Sequence, residues 1–227
     1  MRRRAGGVTL VEIAVVVAII GVLAALATPA LGRFLADQRL RTAARSMADA
    51  FQLARAEAIR NGNPHVVLLS AAAAGDPPAT DPLGTPLGVD PRTGGPWPAV
   101  VLDDGLPALA NCAIDAGEPM RAVPAERGVS WGFAVSGGIR APGDVGDGDP
   151  ASGTSFSDAN GTPVTWMLFG ADGVPRAFDA ACDVGAIGEG GGAVYLTNGR
   201  RDYAIVVTPL GGVRVHAWEA GAATWTD

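Results

Sequence analysis

The stretch GGVTLVEIAVVVAIIGVLAAL, residues 6–26, is mostly apolar and carries a single charged residue, Glu12. No residue from Ile13 to Gly32 carries a charge. As a helix these 20 positions rise about 30 Å, the thickness of the hydrocarbon core of a bilayer. The sequence therefore predicts a membrane-spanning helix with an acidic residue near its start.

Three basic residues, Arg2, Arg3 and Arg4, precede the apolar stretch. Basic residues beside a span stay in the cytoplasm, so we expect a single-pass protein with its N-terminus inside and its body outside. A secretory signal peptide is the alternative, because the segment 25–27 (Ala-Leu-Ala) resembles a cleavage site. Glu12 and the uninterrupted continuation into a long helix argue against a signal peptide.

The residues Gly7-Val8-Thr9-Leu10-Val11-Glu12 resemble the processing site of type IV pilins and type II secretion pseudopilins. Phe is usual in that family where this chain has Val8. The resemblance implies that prepilin peptidase removes a leader, residues 1–7, by cutting between Gly7 and Val8, and that the new Val8 amine is methylated. It also implies a helix bend at Pro29, anchoring in a bacterial inner membrane and a periplasmic body. Other pilins or pseudopilins, an inner-membrane assembly platform and secreted cargo are the partners that it implies for the filament.

Glu12 is the residue in the span that needs an explanation. A carboxylate within a bilayer costs about 2.5–3.5 kcal/mol on insertion scales, and such residues usually have a partner. Cleavage after Gly7 creates an α-amine that is largely protonated at neutral pH. By resemblance, Glu12 meets this amine on its own or a neighbouring subunit during assembly. The alternative is an interfacial Glu that only reaches toward water.

Beyond Gly32 the hydrophobic pattern becomes one-sided. Apolar residues recur at spacings of three and four, as on one face of a helix: Leu40, Ala44, Met47, Phe51, Ala54 and Ala58. The segment Asn61-Gly62-Asn63-Pro64 ends this helix. We therefore divide the chain into a leader (1–7), a transmembrane and assembly helix (8–32), an amphipathic half-helix (33–61) and a body (62–227). Arginines at the start of the amphipathic half face either anionic lipid headgroups or solvent: Arg33, Arg39, Arg41 and Arg45.

The body is rich in Gly and Pro and poor in aromatic residues, which favours short strands and many loops. Seven strand-like runs follow the helix, at 65–70, 98–102, 129–135, 164–169, 193–197, 203–208 and 213–218. A hairpin turn, 208–213, joins the last two runs. These runs predict an α+β, pilin-like fold in which the long helix packs on one or two antiparallel sheets. The segments 71–98 and 137–163 read as long loops and as sites for partner contacts.

The late segments YAIVVTPLGGVRV (203–215) and Phe169–Gly173 resemble the GspH/FimT-type minor pseudopilins. Some of that group, the FimT-like pilins, capture DNA through a basic C-terminal motif, so DNA binding is the alternative function. Arg200, Arg201 and Arg214 are its candidate residues here. The net charge is −6, and it is −9 without the three leader arginines, which disfavours DNA as a partner.

The remaining chemistry-bearing residues are few. Cys112 and Cys182 are the only cysteines, and a disulfide between them is possible if the body is outside the cytoplasm; the residues leave pairing open. Three aspartates, Asp144, Asp147 and Asp149, offer a weak calcium site without the full EF-hand pattern. The sequence has no nucleophile, zinc or P-loop motif. We therefore expect a structural subunit with no cofactor and no enzymatic activity.

Overall fold

The computed structural model describes residues 9–71, 79–105 and 110–226, apart from the side chain of Leu26. The chain divides into two compact units, Met1–Gln38 and Arg39–Asp227. The first unit holds the start of one long helix, α1, which covers Leu10–Asn61. The second unit holds the rest of α1 and all the described strands.

The strands form two five-stranded antiparallel sheets. Their bounds are β1 (His65–Leu69), β2 (Ala99–Asp103), β3 (Met120–Val123), β4 (Ser130–Trp131), β5 (Trp166–Phe169), β6 (Pro175–Arg176), β7 (Gly192–Thr197), β8 (Asp202–Val207), β9 (Val213–Glu219) and β10 (Thr224–Thr226). The first sheet has the order β3-β2-β1-β5-β6, and the second has the order β10-β9-β8-β7-β4. A single turn of 3₁₀ helix, Pro150–Ser152, lies between β4 and β5. The predicted α+β class, a long helix on antiparallel sheets, is confirmed.

The one-sided face of α1 is the centre of the folded unit. All six residues predicted for this face are at most 1% exposed. They share a core with inward-facing residues of both sheets, among them Val67 and Phe169 of the first sheet and Ile205 of the second. Each large apolar side chain buried in this way contributes about 1.5–3 kcal/mol, so this core is the main source of stability.

The C-terminus of α1 forms as predicted. Gly62 has a left-handed backbone (φ 71°), and its N–H donates to the carbonyl of Ala58 over 2.9 Å. A glycine at this position closes the last helical turn without the steric cost that a side chain brings. Pro64 then prevents any continuation of the helix.

Two glycine-containing turns meet at the end of α1. Arg55 donates from Nη1 to the carbonyl of Gly211, in the turn between β8 and β9, over 2.8 Å. A Cβ atom on Gly211 would lie 2.9 Å from the carbonyl oxygen of Gly173, and one on Gly173 would lie 2.5 Å from Ile59. The segments that resemble the GspH/FimT group, around 169–173 and 208–212, are therefore neighbours in space.

The central strands are buried on both faces, because loops cover the outer face of each sheet. Leu87, Cys112 and Phe178 pack on the outer face of the first sheet. Ala141 and Trp225 pack on the outer face of the second sheet. The long segments 79–98 and 137–163 are therefore packed parts of the fold, although their surface residues remain available to partners.

Buried aspartates hold these loops in place by accepting backbone N–H groups. Asp81 accepts from Leu83, Thr85 and Ile114, which joins two loops on the first sheet. Asp144 accepts from the hydroxyl groups of Tyr195 (2.6 Å) and Ser155 (2.5 Å), which ties the 137–163 segment to β7. Such carboxylates satisfy loop N–H groups that no strand partner reaches.

The predicted strand 129–135 is shorter than expected. Only Ser130–Trp131 pairs, with β7. The next residues turn around Asp202, whose carboxylate accepts from the N–H groups of Ala134, Val135 and Ser136 at 2.7–3.1 Å. Because the Asp202 carboxylate accepts these N–H groups in place of β7, the pairing of β4 with β7 ends at Trp131.

Three strands, β3, β6 and β10, were not predicted. β3 has four residues between Pro119 and Pro124, and β6 has only two. Segments this short carry too little alternation to be recognised.

A disulfide joins Cys112 and Cys182, which are 70 residues apart with Cα atoms separated by 5.5 Å. It links the loop before β3 to the loop after β6 on the outer face of the first sheet. A cross-link over a loop of this length lowers the entropy of the unfolded chain, worth about 4 kcal/mol in the loop-closure model.

Replacing both cysteines with alanine should lower the thermal unfolding midpoint, because this restraint on the unfolded chain is lost. We expect the free energy of unfolding to fall by about 2–4 kcal/mol. Thermal unfolding of the detergent-solubilised chain, with and without reductant, measures this loss of stability. The variant should be insensitive to reductant, and a reductant-insensitive parent protein would contradict the assignment.

The hydrogen bonds to Asp202 predict that the stability of the fold depends on pH. Burial by itself raises the pKa of Asp202, but hydrogen bonds from Ala134, Thr197, Ser136 and Val135 more than offset it and hold the pKa below its usual value. A lowered carboxyl pKa stabilises the fold above about pH 4 and loses that contribution as the pH falls through the folded-state pKa. Asp202→Asn should cost about 1–3 kcal/mol near neutral pH, because one of the two acceptor oxygens is replaced by an NH2 donor that faces backbone N–H groups.

Urea unfolding at neutral pH and near pH 3 checks this dependence. The cost of Asp202→Asn should shrink at the lower pH. Asp147→Asn, which removes the same charge from an exposed position, is the matched control and should cost little at either pH. Equal costs for the two variants would show that Asp202 acts only through net charge.

Candidate functional site

The candidate site is the start of α1. Thr9 precedes the first helical residue, Leu10, and its Oγ1 accepts from the N–H of Glu12 over 3.2 Å. The Glu12 carboxylate reaches back and accepts from the N–H of Thr9 over 3.4 Å. This reciprocal pair is a capping box, which satisfies two helix N–H groups that lack an intrahelical partner.

The capping box gives Glu12 a role that the sequence interpretation missed. The signal was present, because Thr9-Leu10-Val11-Glu12 fits the T-x-x-E pattern of a helix start. The hydrogen bond satisfies one lone pair of the carboxylate and leaves its negative charge in place. Capping therefore accounts for helix initiation but does not neutralise a charge at the start of an apolar segment.

The described residue nearest in sequence to the predicted processing positions is Thr9, whose N–H donates to the Glu12 carboxylate over 3.4 Å. Gly7 and Val8, the predicted cleavage and methylation positions, lie outside the described residues. Pairing between the Glu12 carboxylate and a processed Val8 amine therefore stays a prediction.

The apolar part of α1 is exposed along its described length. Leu10, Val17 and Leu23 are each at least 60% exposed, and all the large apolar side chains described between 10 and 35 are at least 44% exposed. The helix is long and apolar enough to cross a membrane. Such a surface needs lipid or other apolar helices around it, since water would make it an aggregation site.

Pro29 lies inside α1, and the helix continues past it to Asn61. The hydroxyl of Thr28 donates to the carbonyl of Ala24 over 2.8 Å. Proline removes one helical N–H and crowds the preceding turn, which is why a bend is expected there. A bend at Pro29 stays a prediction.

The three candidate calcium ligands are not brought together. Asp144 is engaged by Tyr195, Ser155 and Arg140. Asp149 accepts from the N–H of Ala151 at the 3₁₀ turn, whereas Asp147 is exposed. Within the described residues, the only three His, Cys, Asp or Glu side chains with ligand atoms within 4.8 Å of one another are Asp104, Cys112 and Cys182.

That group does not have the donor set of a metal site. Its two sulfur atoms are bonded to each other, so neither is a thiolate ligand. The carboxylate of Asp104 accepts from the N–H groups of Asn111 and Cys112 at 3.0 and 2.9 Å. Burial raises the pKa of Asp104, as expected for a carboxyl group that serves as a structural acceptor without a cation nearby.

The candidate DNA-binding arginines lie at opposite ends of β8. Arg200 and Arg201 are in the turn before β8, and their N–H groups donate to Asn198. Arg214 is on β9 opposite Val206, near the end of β8. Val206 is four positions along the strand from Asp202, about 13 Å. The three do not form one cluster, and DNA binding through them stays a prediction.

Comparison with known protein families adds one finding. Residues 2–28 match the prokaryotic N-terminal methylation motif, the prepilin signal of type IV pilin-like proteins. No curated protein and no solved structure matches the chain. The motif indicates a type IV pilin-like or pseudopilin protein, and proteins with it are structural subunits processed by prepilin peptidase that assemble with other pilins.

Removing the Thr9 hydroxyl tests the capping box. Thr9→Val keeps the size of the side chain but removes the acceptor for the Glu12 N–H, so the first turn should fray. Loss of such a cap costs about 1 kcal/mol, which corresponds to about fivefold faster amide exchange in the first turn. Hydrogen exchange of the chain in detergent micelles measures the exchange rates of the amides in the first turn. Thr28→Val is the control, and equal exchange rates for Thr9→Val and the parent would exclude the cap.

Proposed function

We propose that this protein is a minor pilin-like subunit of a type II secretion pseudopilus or a type IV pilus. Prepilin peptidase cuts between Gly7 and Val8 and the Val8 amine is methylated. Residues 8–32 then anchor the chain in the inner membrane and later pack in the filament. The domain bounds given above, 1–7, 8–32, 33–61 and 62–227, are part of this proposal.

The observation that carries the proposal is the start of α1. A carboxylate at the helix start, in an apolar segment that is exposed throughout its described part, lies within the matched N-terminal methylation motif. Lipid alone satisfies the apolar side chains but not the charge of Glu12. A filament satisfies both, since apolar helices replace lipid and a protonated amine lies next to the carboxylate.

The glycines of the apolar segment also favour helix packing. A Cβ atom on Gly21 or Gly32 would meet nothing within 4 Å in the described structure. Glycine within a helix is about 1 kcal/mol less favourable than alanine, and neither position has a packing reason within the chain. Small residues allow neighbouring helices to approach closely in membranes and helical bundles. Packing against helices of other subunits therefore explains glycine at these two positions.

The charge and redox features favour a periplasmic body. Arg2, Arg3 and Arg4 keep the N-terminus in the cytoplasm. The disulfide on the first sheet is stable only in an oxidising compartment such as the bacterial periplasm. The body then meets other minor subunits or secreted cargo through its loops, and the helix meets the inner-membrane assembly platform.

Glu12 variants separate neutralisation from capping. Glu12→Gln retains the capping box, since Gln also accepts from the Thr9 N–H, but it removes the charge. Glu12→Leu removes both. If the charge pairs with the Val8 amine, both variants should reduce incorporation into filaments by at least about tenfold, a loss of about 1.4 kcal/mol. Sheared-filament fractions from the native host measure incorporation.

Thr9→Val is the matched control, because it weakens the cap and keeps the charge. It should assemble far better than Glu12→Gln. Normal assembly of Glu12→Gln together with failure of Glu12→Leu would assign Glu12 to capping alone. Mass spectrometry of the membrane-extracted chain tests processing, and an uncleaved, unmethylated terminus would reject the proposed function.

A further inference from the structure

A second feature is a cluster of arginines on the unit Arg39–Asp227. Arg39 of α1 and Arg92 and Arg127 of two loops line one shallow cavity of about 230 Å³. Thr93, Ala125 and Glu126 complete its lining. We call this the arginine cavity.

The two loops of the arginine cavity are held together by a buried carboxylate. Asp90 accepts from the backbone N–H and the guanidinium of Arg92 and from the N–H of Ala125. Arg92 donates to the carbonyl of Ala125, and Arg127 donates to the carbonyl of Arg92, at 3.1 and 3.2 Å. The rim is therefore pre-organised, which reduces the entropy lost when an anion binds.

The third arginine is differently placed. Arg39 is exposed and, within the part of the chain that the structure describes, has no hydrogen-bond or ion-pair partner. Its five donors are available to a ligand beside the anchored pair. Glu126 and Asp90 offset two of the three positive charges, so the cavity suits one small anion better than an extended polyanion.

The chain places this cavity within reach of a membrane surface. Arg39 follows Gly32, the last residue of the uncharged run, by seven residues. That distance is about 10 Å in a helix and at most about 25 Å in any conformation. The headgroup layer begins at the edge of the hydrocarbon core and is several ångströms thick. The phosphate groups of lipids are therefore the anions present at the highest local concentration.

The surrounding charge argues against nucleic acid as the ligand. The unit Arg39–Asp227 carries 13 arginines and 21 acidic residues, a net charge of −8. A long polyanion would meet this repulsion over its whole footprint, whereas a single headgroup meets only the cavity. Guanidinium groups also bind phosphate oxygens in a bidentate manner, which matches an all-arginine rim.

We propose that the arginine cavity binds the phosphate of an anionic phospholipid in the membrane that holds the apolar segment. This inference rests on the membrane anchoring in the proposed function. Binding orients the folded unit at the bilayer before the subunit leaves it for a filament, and the contact is lost on extraction.

Hydrogen exchange of the full chain in nanodiscs tests the proposal. Discs of zwitterionic phosphatidylcholine are compared with discs in which about a third of the lipid is anionic phosphatidylglycerol. Peptides covering 90–95 and 124–128 should exchange at least about threefold more slowly in the anionic discs. Arg39→Gln/Arg127→Gln should abolish this difference, and Arg39→Gln alone should reduce it.

Arg200→Gln/Arg201→Gln removes the same charge elsewhere and should keep the full difference. Equal exchange in both kinds of disc, or protection that survives in the double variant, would overturn the inference. Equal protection by inorganic phosphate or by duplex DNA in zwitterionic discs would also overturn it, in favour of a free anion or nucleic acid. A chain that fails to enter discs at all would overturn both this inference and the proposed anchoring.

Discussion

One helix has to be stable in two different surroundings, and the rest of the structure follows from that constraint. Up to residue 35, α1 has large apolar side chains exposed around it, as lipid or a helical bundle requires. From Leu40 onward its apolar residues narrow to a single face, which becomes the centre of a two-sheet core. The change in periodicity therefore separates the part of α1 that is exposed and apolar from the part that is built into the core; in the proposed function, only the first part exchanges lipid for protein.

The Glu12 carboxylate meets the same constraint at the other end of the helix. Helix initiation in a low-dielectric medium needs acceptors for the first N–H groups, and the capping box supplies two within the chain. The uncompensated charge that remains is tolerable only near a cation. In the proposed assembly, an amine brought to Glu12 makes a residue that is costly in a lone span favourable.

The sequence was most informative where the physical signal is local. Short-range periodicity and turn chemistry predict four features: the span, the buried face from Leu40 to Ala58, the end of α1 at Gly62 and most of the central strands. The aspartate contacts could not be predicted in this way. Asp202 binds N–H groups 66–68 residues away and Asp81 reaches Ile114 across 33 residues, and no sequence pattern connects such pairs. The capping box at Thr9 was local and readable, but the apolar context drew the interpretation toward the charge of Glu12 alone.

The covering of both sheets by loops has an evolutionary consequence. In many antiparallel proteins one sheet face is solvated, so surface changes act directly on strand residues. Here the loop residues Leu87, Phe178 and Ala141, together with Trp225 of the edge strand β10, separate the central strands from the exterior. Mutations that redraw the outer surface of these loops leave the scaffold intact as long as anchors such as Asp81, Asp144 and Asp202 are kept. The outer surface of these loops can therefore diversify with little loss of foldability.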